Sequence, residues 1–142
     1  MIYPKFATHL NIHIPQAEVN VSGDFSSFYD MGQIQEKGYY NLNCYAAYSY
    51  GDQALISTGN MSSANTKRLL LINESFSDCV IPFLSLGVRH LKAMNLRHFR
   101  GSVRNFIDTE KPDAVIVQYH ATLPGRFVHP ISKYDEKMYD FR

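Results

Sequence analysis

The sequence has no tryptophan, only two cysteines and no long hydrophobic run. Cys44 and Cys79 make no disulfide framework and fit no metal-ligand spacing, so both read as buried free thiols and leave the redox compartment open. No apolar stretch approaches the ~18–20 residues of a membrane-spanning helix. The opening MIYPKFATHLNIHIPQ lacks the charged start and unbroken apolar centre of a signal peptide. Charge is nearly balanced, with 14 Lys and Arg against 13 Asp and Glu, so nothing electrostatic favours nucleic acid or an acidic membrane. Repeats and low-complexity tracts are absent as well.

What is present is an ordinary globular composition in 142 residues, enough for one domain with a core. Ten Tyr and nine Phe make the chain rich in aromatics, a mixture found in sheets and on carbohydrate-facing surfaces alike. The reading is a single domain over 1–142: a β-rich, irregular segment at 1–66, an α/β core at 67–120 and a tail at 121–142.

In the first segment HLNIHI alternates, with Leu10, Ile12 and Ile14 on one side, and predicts a strand. His9 and His13 would pair for a metal only on a helix, which the alternation opposes. VSGDFSSFYDMGQ has the Gly, Ser and Asp density of a loop. Tyr40, Leu42, Cys44, Ala46, Tyr48 and Tyr50 form a period-two pattern and predict a half-buried strand, turned by Gly51-Asp52 and partnered by QALIS. TGNMSSANTK reads as a polar connection.

Beyond Lys67 strands and helices alternate. Leu69–Ile72 is a short apolar run, as in a strand covered on both faces. Ser77–Leu86 reads as a helix capped by Ser77 or Asp78 and stopped by Gly87, with Pro82 tolerable only near its first turn. VRHLKAMNL reads as an edge strand, because charged residues interrupt it. Ser102 caps VRNFIDTEK, which Pro112 ends, and DAVIVQYH reads as a central strand. The β-α-β-α-β order implies right-handed crossovers and a parallel sheet.

Ser75 stands just past the end of one such strand. Ligands of open parallel sheets bind beyond the carboxyl ends of the strands. A hydroxyl there is held at a rim by a stiff element, with free N–H groups of the following helix aimed at the same place. It still needs a base, and the base an orienting acid.

The blocks around Ser75 resemble a known family. LLLI-NESFS-DCVIPFL, NLRHFRGS and KPDAVIVQY, in that order, with GDFSSFY and GYYNLNCYAAYSYGDQ upstream, are similar to the SGNH/GDSL-type hydrolases. The branch is that of the DHHW proteins and the alginate and cell-wall O-acetyltransferases. The resemblance covers most of residues 23–120 and implies a three-layer, flavodoxin-like parallel sheet, incomplete at its N-terminus and preceded by the Tyr-rich β segment.

It also implies serine acyl transfer with Ser75 as nucleophile and no cofactor or metal. Two departures stand out: Asn73-Glu74 replaces the usual Gly/Arg-Asp, and the upstream Asp-x-His motif is absent, with Thr8 where the acid would be. A partner chain is one source of that motif. Within the chain His120, emerging after Ala114–Val117 at the same rim, is the candidate base; His98 and His129 read as rim or tail histidines. Asp113 lies at the wrong end of its strand to orient a base, and Glu74 should point away from Ser75. Asn73, Glu74, Arg97 and Gly101 are the candidate oxyanion and substrate-binding residues.

The substrate so implied is an acylated polysaccharide or another acyl ester. The family works at the cell envelope, although this chain shows no export signal. Two other readings stand beside the enzyme: a non-catalytic glycan- or protein-binding module, and a truncated product without a role of its own. Asn60 and Asn73 head the sequons NMS and NES.

Overall fold

A computed structural model describes residues 8–15, 18–32 and 47–118. Two strands open it, β1 (Thr8–Ile14) and β2 (Val19–Asp24), and a 3-10 turn Phe25–Phe28 follows. Then come β3 (Leu55–Asn60), β4 (Arg68–Asn73), a second 3-10 turn Ser75–Ser77, and helix α1 (Ile81–Gly87). Strand β5 (His90–Asn95), helix α2 (Val103–Glu110) and β6 (Ala114–Val117) complete it. The six strands form one sheet in the order β2-β1-β3-β5-β4-β6.

The parallel part of the sheet is β5-β4-β6. The preceding β-rich segment extends it antiparallel: β1 pairs with β2 and β3, and β3 with β5. Helices cover both faces, which gives the expected three-layer α/β architecture. On one face Leu10, Ile12, Ile14, Ile56, Leu71 and Leu91 pack with Ile81 of α1 and with Phe25 and Phe28. On the other, Leu70, Ile72 and Met94 meet Val103 of α2. Period-two alternation in β1 and a doubly covered apolar run in β4 thus sit where their patterns place them.

Several expectations need correction. The segment read as a loop holds most of β2 and the 3-10 turn. Asp24 caps that turn by accepting the Ser26 N–H at 2.8 Å, and Phe25 and Phe28 drop into the core. Gly23 lets the turn pack close, since a Cβ there would lie 2.3 Å from Ser27 Oγ and force that hydroxyl to move. The QALIS strand pairs with β1 and β5 and extends to Asn60, into the tract read as a connection. Most of the Tyr-rich stretch lies outside the described residues. Its end, Ala47–Tyr50, is a single bridge from Tyr48 to Tyr29 and a turn with Ser49 and Tyr50 at φ of 52° and 62°.

Strand β5 is central, not an edge. Its charge misled because Lys92 reaches out to Glu110 Oε2 at 2.6 Å and lies over the Phe106 ring at 5.5 Å, so the ammonium escapes while the stem is covered. Conversely β6 lies beyond β4 and pairs with no other strand among the described residues, leaving Val115, Ile116 and Val117 39–56% exposed. An apolar run permits burial; pairing decides position.

Helix α1 begins at Ile81, four residues later than the sequence reading. Residues 75–80 are spent on 3-10 and turn hydrogen bonds, which leaves Pro82 in the first turn, where its missing N–H costs nothing. Neither Ser77 nor Asp78 caps it. Helix α2 matches expectation, with Ser102 Oγ accepting the Asn105 N–H at 3.2 Å and Lys111 ending it in the left-handed region. No helix among the described residues is long and apolar enough to cross a membrane.

Candidate active site

Ser75 stands two residues past the carboxyl end of β4, half-buried, at the first position of a 3-10 turn. Glu74 leads into the turn with an extended backbone and is itself buried. The Ser77 and Asp78 N–H groups close the turn onto Glu74 O and Ser75 O at 2.9 and 3.2 Å. Those two donors are therefore not available to an oxyanion, and α1 starts too far along to offer its own. Among the described residues the Ser75 hydroxyl has no hydrogen-bond partner.

Parallel register sets the neighbours. Asn73 of β4 lies beside Asn95 of β5, so the segments leaving both strands rise at one rim. Both asparagines are buried. Asn73 Nδ2 donates to Glu74 O at 3.1 Å, while its Oδ1 is buried without a partner. Asn95 Oδ1 accepts the Arg97 N–H at 3.0 Å and its Nδ2 donates to Asp52. The His98 and Phe99 N–H groups fold back onto Asn95 O at 3.0 and 2.8 Å, a tight turn that places the Arg97 and His98 side chains.

That turn and the Gly51-Asp52 turn build a charged cluster. Asp52 Oδ2 receives His98 Nε2 at 2.9 Å and Arg97 Nη1 at 3.5 Å. Asp78, 3% exposed and bonded by its N–H to Ser75 O, has its backbone carbonyl accepting from Ser49 Oγ at 3.0 Å. Burial, and then the nearby Asp52 and Glu74 carboxylates, push the Asp78 carboxyl up to about 8 against the opposing pull of Arg97. The rim thus holds an acid that keeps its proton at neutral pH beside the Asp52–His98 pair.

The sequence-predicted residues distribute unevenly. Ser75, Asn73, Glu74 and Arg97 come together at this rim. Gly101 follows the turn that carries Arg97, exposed, where a Cβ would approach the Phe99 ring to 2.8 Å. Arg97 is engaged with Asp52, and Arg100 Nη1 donates to Arg97 O at 3.0 Å. His120 and His129 lie outside the described residues; the last described residue, Gln118, donates its N–H to Ile72 O at 2.9 Å. Asp113 lies at the opposite end, as expected, accepting from Arg68 N–H at 2.8 Å; that bond and the one from Lys67 hold its carboxyl below the usual range.

Neither sequon asparagine is accessible, since Asn60 and Asn73 are both buried and their amides occupied. His13 bonds Asn20 Oδ1 at 2.6 Å from a strand, and among the described residues no group of three metal-ligating side chains occurs. Cys79 is a free, half-buried thiol, and Cys44 lies outside the described residues. Among the described residues one groove lies under α2 between Lys92, Phe106 and Glu110 and another on the polar face of β1-β2-β3. Neither is lined by Ser75. The Asp52–His98 pair was missed by sequence reasoning because two polar turns 46 residues apart carry no spacing signal.

No protein-family model matches the chain, and no curated protein matches it. Solved structures do. PatB1 from Bacillus cereus, carrying a sulfonyl adduct, is similar with a TM-score of 0.58 at 20% identity, over 81% of this chain and 39% of its own. A second PatB1 structure gives 0.58 at 21% identity, over 78% and 34%. A DHHW family protein from Eubacterium siraeum gives 0.53 at 14% identity, over 81% and 36%. The likeness is one of fold. This chain spans less than two fifths of the length of those proteins.

Proposed function

We propose that the chain is a serine-dependent esterase or O-acetyltransferase relative that acts on acylated glycans through an acyl-enzyme at Ser75. The observation that carries this reading is the placement of a half-buried, unengaged hydroxyl just past the carboxyl end of β4, beside a charged rim. The fold it shares with PatB1 adds support. One of the PatB1 structures carries a sulfonyl adduct.

In this reading Ser75 Oγ attacks the acyl carbonyl and the backbone N–H of Ser75 faces the developing oxyanion. Asn73 and Glu74 shape the floor, and the turn from Arg97 to Gly101 borders the substrate. The proton from Ser75 needs an acceptor: His120 is one source, and a partner chain bearing an Asp-His motif is another.

A second reading, a non-catalytic glycan- or protein-binding module on the same fold, is favoured by Phe76 and Phe83. Phe76 follows Ser75 directly and Phe83 lies on α1, and both are more than half exposed. Fluorophosphonate labelling followed by peptide mapping separates the two. The enzyme reading expects a single adduct on Ser75, lost in Ser75→Ala together with any p-nitrophenyl acetate turnover. Well-folded protein that stays unlabelled would leave only the module.

A further inference from the structure

We infer that His98, positioned by Asp52, is the general base for Ser75. The inference rests on the reading of Ser75 as nucleophile and names the base for it within the described fold.

The geometry begins with the imidazole. His98 Nε2 faces Asp52 Oδ2 at 2.9 Å, which favours the tautomer with hydrogen on Nε2 and leaves the Nδ1 lone pair as acceptor. The carboxylate is itself held: Asn95 Nδ2 donates to Oδ1, and Arg97 stands 3.5 Å from Oδ2. An acid fixed on both oxygens orients a base more firmly than a solvated one.

Register then brings the segments that carry base and hydroxyl to one rim of the sheet. Asn73 and Asn95 are partners on adjacent strands, about 4.8 Å apart as in any sheet. Ser75 follows the first by two residues and His98 the second by three, and the turn onto Asn95 O folds His98 back over the strand end. The Asp52 carboxylate also acts on Asp78, whose N–H is bonded to Ser75 O at 3.2 Å, so the dyad and the serine turn share one cluster. The His98 side chain is 41% exposed, which leaves the ring accessible at the rim where substrate would enter. Charged groups around it are Asp52, Arg97 and Arg100 from the turns and Glu74 and Asp78 from the β4 side.

The step balances without a co-reactant. As the Oγ–acyl carbon bond forms, the Oγ proton passes to Nδ1 and the carbonyl π pair moves onto oxygen. Collapse breaks the bond to the leaving oxygen, which takes the proton back from the imidazolium. Water or a glycan hydroxyl then repeats the sequence on the acyl-enzyme.

The test uses the full chain and a fluorophosphonate probe, with the rate of Ser75 labelling followed across pH. His98→Gln and His98→Ala are expected to slow labelling about 100-fold or more, to abolish its pH inflection, and, for the alanine variant, to be partly rescued by added imidazole. Asp52→Asn is expected to lower the limiting rate and leave the half-saturating probe concentration unchanged, as suits a positioning residue. Wild-type rates in folded His98→Gln, or a matching loss in His120→Ala alone, would overturn the inference while Ser75 stays the nucleophile. Absence of Ser75 labelling in the unmodified protein would instead overturn the reading beneath it.

Discussion

Asp78→Asn is expected to stabilise the protein by about 3–5 kcal/mol at pH 8 and by little near pH 4. The sign follows from where the proton sits. In the unfolded chain this carboxyl titrates at its ordinary value of 3.8, whereas burial and the neighbouring Asp52 and Glu74 push it up to about 8 in the fold. Between those values the native state holds a proton that the unfolded state has released, so stability falls with rising pH at about 1.4 kcal/mol per unit. The loss begins near pH 4 and levels off above pH 8. Asparagine mimics the protonated acid in shape and carries no charge to desolvate, which removes the slope. Urea melts of both proteins at pH 5, 6.5 and 8 measure it. Parallel stability curves for the two proteins would mean that Asp78 is ionised in the native state.

Phe28→Ala is expected to cost about 3–5 kcal/mol and to lower the melting temperature by roughly 10 °C. Phe28 is fully buried and packs 6.1 Å from the Phe25 ring, which in turn meets Tyr29 at 6.0 Å and Phe83 at 5.1 Å. Its carbonyl accepts the Ser49 N–H at 2.7 Å, tying the segment to the turn before β3. Truncation leaves a cavity walled by other rings and by β1, where little can collapse inward. Met31→Ala, a few residues on and 49% exposed, should change stability by no more than about 0.5 kcal/mol. A Phe28→Ala loss below 1 kcal/mol would show that the segment is a peripheral flap.

The contrast between these two residues and Ser75 shows what a sequence can convey. Leu10, Ile12 and Ile14 announce β1 because period two is a local property of the pleat, and Ser102 announces α2 because capping acts over three residues. The serine corner was legible for the same reason: an apolar run, a polar knot and a second apolar run are contiguous. Phe25 and Phe28 hid among Ser, Gly and Asp because a single 3-10 turn is too short to leave a periodicity. Lys92 made β5 look peripheral because sequence does not show where a long side chain escapes. Asp52 and His98 met only through the pairing of distant strand ends. Asp78 read as a helix cap, and its burial came from the sheet and turn that close over it.

One more property follows from the place of β5. Among the described residues it is the only strand that pairs with both halves of the sheet, β3 on one side and β4 on the other. Until residue 95 has been synthesised, the β1-β2-β3 half exposes a bare flank at β3, and β4 has no parallel neighbour to hold it. Both junctions join positions far apart in the chain, with Leu55 opposite Met94 and Arg68 opposite His90. Loop closure of that length slows collapse into the native topology. The ribosome must therefore deliver the keystone before either wing can settle.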